Sequence, residues 1–168
     1  MNPDILRRTL LTSIGAFAIA PGLARAEDYI DLNWTDLVPE GQVALPPVIQ
    51  DLIQHEETSL TSQQPASSGV RNDWNGQIVR LPGFIVPIDY TGTSVTAFIL
   101  VPFVGACVHV PPPPANQLVF VTTQEPYEST GLYEPVNVIG MFGAASMSTQ
   151  LAQIGYALSA DRIEPYRS

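Results

Sequence analysis

The chain has 168 residues, 7 Lys+Arg against 16 Asp+Glu, and a formal net charge of −9. With 45% hydrophobic and only 14% charged residues it is too apolar for a disordered chain, and its length suits one sizeable domain. The seven cations are Arg7, Arg8, Arg25, Arg71, Arg80, Arg162 and Arg167, with no lysine at all, which argues against nucleic acid and anionic membrane surfaces as partners.

Residues 1–26 read as an export signal. Arg7 and Arg8 form a short basic start, Leu10–Leu23 is an apolar stretch, and Ala24-Arg25-Ala26 is a small-x-small cleavage site. Pro21-Gly22 interrupts the stretch and disfavours a membrane-spanning helix. The adjacent arginines suit a twin-arginine signal, although Leu6 stands where Ser or Thr is preferred, so the general secretory route stays open beside it. No cysteine lies at the cleavage site, so we expect no lipid anchor there. The expected product is a soluble periplasmic protein beginning near Glu27 and without a stable membrane anchor. It is more acidic than the precursor, because three arginines leave with one aspartate.

The next segment, 27–69, is expected to hold an acidic irregular stretch, a helix and a linker. Trp34 and Leu37 are its docking residues. Pro46-Pro47 suits a first helical turn, and Val48, Ile49, Leu52 and Ile53 follow at helical spacing through about Glu57. His55 falls near that helix's C-terminal end. Thr61–Gly69 reads as a flexible linker.

From residue 70 the period changes to two. Strands are expected at Gln77–Val86, bent at Pro82-Gly83, then at Val95–Val101, continuing or followed by Val104–Val110. Further strands are expected at Leu118–Thr123, Val136–Met141 and Gly155–Ile163, with one short helix at Ala144–Ile154. The fold class is mainly β: a small OB-like curved barrel of about five strands over 70–168, with an N-terminal helix and one additional helix. Arg80, inside an apolar strand, is expected to pair with a carboxylate, and Trp34 and Trp74 to anchor loops to the core.

The residues with chemical potential are Cys107 and His109. A single cysteine excludes an intramolecular disulfide, and a free thiol in an oxidising compartment must be buried, ligate a metal or react. If Cys107–Val110 is extended, Cys107 and His109 share a face with Cα atoms roughly 6.5–7 Å apart. They would then reach one metal ion, zinc in the first place and copper less readily. The run Pro111–Pro114 stiffens the exit, and Asn116, Gln117 and His55 are the further groups available around such an ion. A blue-copper set would need His55 and Met141 or Met147 as well, which the spacing disfavours. The same residues also suit a thiol buried in the core, or a nucleophilic thiol beside an imidazole.

The residues Val79-Arg-Leu-Pro-Gly-Phe-Ile-Val-Pro-Ile88, Phe98-Ile-Leu-Val-Pro102 and Gly105-Ala-Cys-Val-His-Val-Pro-Pro-Pro-Pro-Ala-Asn-Gln117 resemble an uncharacterised family of exported bacterial proteins, domain of unknown function 3299. Trp34-Thr-Asp-Leu-Val-Pro39 and Glu164-Pro-Tyr166 look like its two ends. Members are exported, often as lipoproteins. Some are encoded beside ABC-type permease and ATPase components in gene sets linked to zinc limitation. The resemblance therefore implies a metal-related accessory role, with Cys107 and His109 at the matching motif positions. It departs at the missing lipobox cysteine. The expected function is a periplasmic accessory protein that binds a metal ion, zinc above all, and supports an ABC-type transport or metal-supply system. The alternatives are a metal-free protein-binding module with Cys107 in its core, and a thiol-dependent enzyme. No catalytic residue is assigned.

Overall fold

The computed structural model describes residues 28–41, 64–107 and 112–166. The export signal, the expected helix at Pro46–Glu57, His55 and His109 lie outside the described residues. Six strands follow in chain order: β1 Ile30–Asp31, β2 Gln77–Thr91, β3 Ser94–Val101, β4 Val119–Glu128, β5 Pro135–Ser148 and β6 Gln153–Pro165.

β2 owes its length to an alternating pattern. Val79, Leu81 and Ile85 point inward and are buried, while Arg80 and Pro82 lie half-buried between them. Its first half pairs antiparallel with β5, from Gln77↔Phe142 to Phe84↔Pro135. Its second half pairs antiparallel with β3, from Phe84↔Val101 to Thr91↔Ser94. The change of partner falls at Pro82-Gly83-Phe84, where the sequence indicates a bend. Gly83 is required there, because a Cβ would stand 2.7 Å from Leu100 Cγ.

β3 continues antiparallel to β4, β4 runs parallel to β6, and β6 returns antiparallel to β5. The pairing of β5 with β2 closes a five-stranded mixed barrel. Counted along the barrel, the strand order is first, second, third, fifth, fourth and back to first, the Greek-key arrangement of an OB-like barrel. β1 is an extra strand lying parallel to β2, with Ile30↔Val79 and Asp31↔Arg80 in register.

The helix expected at Ala144–Ile154 is absent. β5 extends through Ser148, β6 starts at Gln153, and Thr149–Ala152 is the tight turn of a hairpin. The apolar residues there are spaced ambiguously. Cross-strand pairing of Ala144 with Tyr156 and Met147 with Ile154 decides for strand. Among the described residues the only helical element is one 3-10 turn, Ala115–Gln117.

Two cores result. The barrel interior holds Val79, Leu81, Phe98, Leu100, Val121, Val138, Phe142 and Tyr156, and Leu32 and Leu37 of the N-terminal segment join it. The second lies outside the barrel wall, where Val86, Ile99, Val101, Leu118 and Ile154 meet Ala106 and Cys107. β3 is thus buried on both faces. This explains its unbroken run Ala97-Phe-Ile-Leu-Val101, which lacks the alternation of a half-exposed strand.

The N-terminal segment and the expected linker are fastened to the barrel. The Trp34 indole donates to the Pro82 carbonyl at 2.7 Å. The Tyr156 hydroxyl donates to the Leu37 carbonyl and accepts from the Arg71 amide, each at 2.7 Å. The Gln64 amide donates to the carbonyls of Pro113 and Gln153 and accepts from the Gln153 amide. Residues 64–69 are therefore strapped down rather than free.

Candidate functional site

Cys107 sits in the second core, fully buried beside Ala106 and under the loop that leaves β3. It does not continue a strand. Its φ is +68°, in the left-handed region, so the two-residue alternation that would align Cys107 with His109 does not apply at this position. Tyr133, the only other described non-glycine residue with positive φ, lies at +62°. Its hydroxyl donates to the Ala106 carbonyl at 2.9 Å and so braces the cysteine turn from the loop between β4 and β5. Each left-handed residue costs on the order of 1–2 kcal/mol, which the surrounding packing must offset.

Aliphatic burial leaves the thiolate without solvation and pushes the Cys107 thiol up to about 12. Burial also raises the Tyr133 hydroxyl, with the nearby Cys107 sulfur adding to it. At neutral pH both groups keep their protons, so this pair offers no thiolate nucleophile. We expect Cys107 to resist iodoacetamide at pH 8 in the native state and to react fully in 6 M guanidinium. Native labelling as fast as that of free cysteine would contradict this placement.

Asn116 and Gln117, expected near a metal, are both buried on the 3-10 turn and serve the N-terminal straps. The Asn116 amide donates to Ser68 Oγ at 2.9 Å and to the Gly69 carbonyl at 3.0 Å. The Gln117 amide donates to the Trp34 carbonyl at 2.9 Å. Among the described residues no group of three or more His, Cys, Asp or Glu side chains converges as a metal site. Arg80 does pair with a carboxylate, Asp31, at 2.5 Å, and its guanidinium also lies over the Tyr29 ring.

A different feature emerges from the tertiary structure. A groove of about 400 Å³ opens between the β2–β3 hairpin, the loop Ser129–Glu134 and the turn joining β5 to β6. Its walls include Val86, Pro87, Tyr90, Thr93, Leu132 and Leu151. Tyr90 and Leu132 are 61% and 48% exposed, large apolar groups standing free at its rim. Val86 at its floor belongs to the second core, so the groove is backed by rigid packing. In five-stranded Greek-key barrels the first hairpin and the last hairpin flank the usual ligand face, and this groove lies between those two hairpins. A larger hollow of about 590 Å³ lies between residues 67–70 and the outer ends of β5 and β6. Mostly Ser, Gly and Ala residues wall it, leaving few anchoring surfaces. Sequence reading missed the apolar groove, because Tyr90 and Leu132 are isolated apolar residues inside turn-forming stretches.

The groove's loop wall is fixed by a buried acid. The Glu134 carboxylate accepts hydrogen bonds from the Tyr127 hydroxyl at 2.8 Å, the Ser129 hydroxyl at 2.8 Å and the Thr130 amide at 2.7 Å. The Tyr133 amide and the Glu134 carbonyl pair with the backbone of Ile85, tying the loop to β2.

No curated protein matches the chain. Among solved structures it is similar to the crystal structure, at 2.45 Å resolution, of a DUF3299 family protein from Pseudomonas aeruginosa PAO1. The two are 34% identical with a TM-score of 0.72, over 84% of this chain and 98% of that one. The family described as protein of unknown function DUF3299 matches residues 34–165, a span that runs from the Trp34 strap to the end of β6. With that span covering the whole barrel, the chain belongs to the DUF3299 family.

Proposed function

We propose that the protein is an exported, metal-free binding module that docks a partner protein in the groove between its β2–β3 and β5–β6 hairpins. The observation that carries this reading is a preformed apolar groove with Tyr90 and Leu132 exposed at its rim and core packing beneath it. Exposed aromatic and aliphatic anchors around a fixed pocket are the usual centre of a protein interface. The alternative, a periplasmic zinc-binding accessory of a transport or metal-supply system, needs a Cys107 thiolate. A metal would have to expel a proton from a thiol held up to about 12 and part the aliphatic side chains around it.

Two measurements test the proposal. A photo-crosslinking residue at position 90 should give one discrete adduct in the producing bacterium, and the adduct should vanish when Leu132→Ser is added. The same residue at position 141, where Met141 is exposed on β5, should give none. No adduct at 90, or equal adducts at both positions, would overturn the docking assignment. In a zinc titration of the reduced protein, Cys107→Ser should take up as much zinc as the wild type. A single micromolar site lost in that variant would move the reading to zinc.

A further inference from the structure

We infer that the groove's occupant is a partner segment with an apolar centre and flanking lysines or arginines, a conclusion that rests on the docking reading above. From Leu81 to Asp161 the chain contains no lysine or arginine, yet it carries Asp89, Glu125, Glu128, Glu134 and Asp161. Every residue that lines the groove, from Val86 to Leu151, falls within that stretch. Two of its carboxylates are hydrogen-bonded to lining residues, and a third lies next to one in sequence. Asp89 precedes the rim residue Tyr90, and its carboxylate accepts from the Thr96 hydroxyl at 3.1 Å. Glu128 accepts from the hydroxyls of Thr93, at 2.6 Å, and Ser94, and Thr93 lines the groove. Glu134 accepts from Ser129 and Thr130, two further lining residues.

The described arginines lie elsewhere and already face carboxylates: Arg71 with Asp73, Arg80 with Asp31 and Arg162 with Glu164. No cation stands among the groove's lining residues to offset its rim. The hydroxyls of Ser94 and Thr93 hold Glu128 below the ordinary glutamate value, so its charge persists into mildly acidic conditions. An apolar floor within an anionic rim is complementary to an apolar segment flanked by cations. An acidic partner segment would be repelled, and a neutral one would gain nothing from the rim.

The test uses the purified mature protein and two fluorescein-labelled heptapeptides, Lys-Lys-Leu-Phe-Leu-Lys-Lys and Ser-Gln-Leu-Phe-Leu-Gln-Ser, read by fluorescence anisotropy. The cationic peptide should bind at least about tenfold more tightly at low salt, with the gap closing as salt screens the rim. Asp89→Asn with Glu128→Gln should close the gap as well, since the asparagine oxygen still accepts from Thr96 and the glutamine amide accepts from one of the two hydroxyls at position 128 while its NH2 donates to the other. Leu132→Ser and, separately, Tyr90→Ser should each weaken the cationic peptide about tenfold. Both residues are exposed, and an unchanged thermal midpoint certifies each variant as folded. Equal binding of the two peptides would overturn the cationic occupant and leave the docking reading standing. Binding of the cationic peptide that ignores both groove variants would show diffuse charge attraction and overturn the site itself. Absence of cationic-peptide binding up to millimolar concentration would also reject the inference.

Discussion

Glu134→Ala should lower stability by about 3 kcal/mol, because it removes one acceptor from three donors, one of them the buried Ser129 hydroxyl. For a chain of this size the thermal midpoint should fall by about 10 °C. The effect carries a pH signature. Burial pushes the Glu134 carboxyl up, but the bonds from the Thr130 amide and the Tyr127 and Ser129 hydroxyls outweigh it and hold the group below its ordinary value of 4.5. The unfolded chain therefore binds this proton more readily than the folded one. The stabilisation is complete above the ordinary value and is lost as pH falls through the lower folded value. Midpoints of the wild type and Glu134→Ala should differ fully at pH 7 and converge as pH drops below 4.5. A constant difference across that range would refute the role of the charge. Because Glu134 fixes Ser129–Glu134, the variant should also loosen the groove wall, visible as faster amide exchange at Tyr133.

Gly140→Ala should be at least as damaging, and Gly143→Ala on the same strand should be close to neutral. At Gly140 an added Cβ would stand 2.1 Å from the Ser159 carbonyl oxygen and 2.8 Å from Ala160 Cα. Both are backbone atoms of β6 and cannot swing aside. The crowding comes from a register shift: Ile139 pairs with Arg162 while Gly140 pairs with Ala160, leaving Asp161 as the extra residue of a bulge. Accommodating a methyl there means displacing the β5–β6 ladder, at a cost of about 3 kcal/mol or more. At Gly143 the Cβ would meet only Asn75 Oδ1, at 3.7 Å. Urea midpoints of the two variants check this directly. Equal effects would mean that β5 tolerates or rejects methyl groups along its length and that the bulge imposes no local constraint.

Much of the barrel was readable in advance because its strands obey local rules. Val79, Leu81 and Ile85 alternate with polar or half-buried neighbours, Gly92 marks the β2–β3 hairpin, and the run Ala97–Val101 is long enough for a strand but too short for a helix. The stretch 144–154 was misread because its apolar residues fit either period, and the choice lay with partners on the opposite strand. Cys107 was legible as unusual, but not its surroundings. Its burial depended on a left-handed turn and on Val86, Ile99 and Ile154, which come from three different strands. The roles of Asn116 and Gln117 depended on residues more than 40 positions away, and no local pattern encodes such bonds.

The sequence by itself determined the β character, the single-domain size, the acidic and lysine-free surface, and the family motif around Cys107. These follow from composition and from short-range periodicity, which local sterics and side-chain hydropathy impose. The tertiary structure alone decided the barrel's closure, the second core that shields Cys107, and the groove. Each of these requires residues distant in sequence to meet: β2 dividing its pairing between β3 and β5, the loop after β3 folding over Ile99 and Ile154, and Tyr90, Leu132 and Leu151 converging from the end of β2 and two separate connections. Such contacts are set by the chain's global packing, in which each strand's partner is chosen by the burial it completes rather than by its own residues.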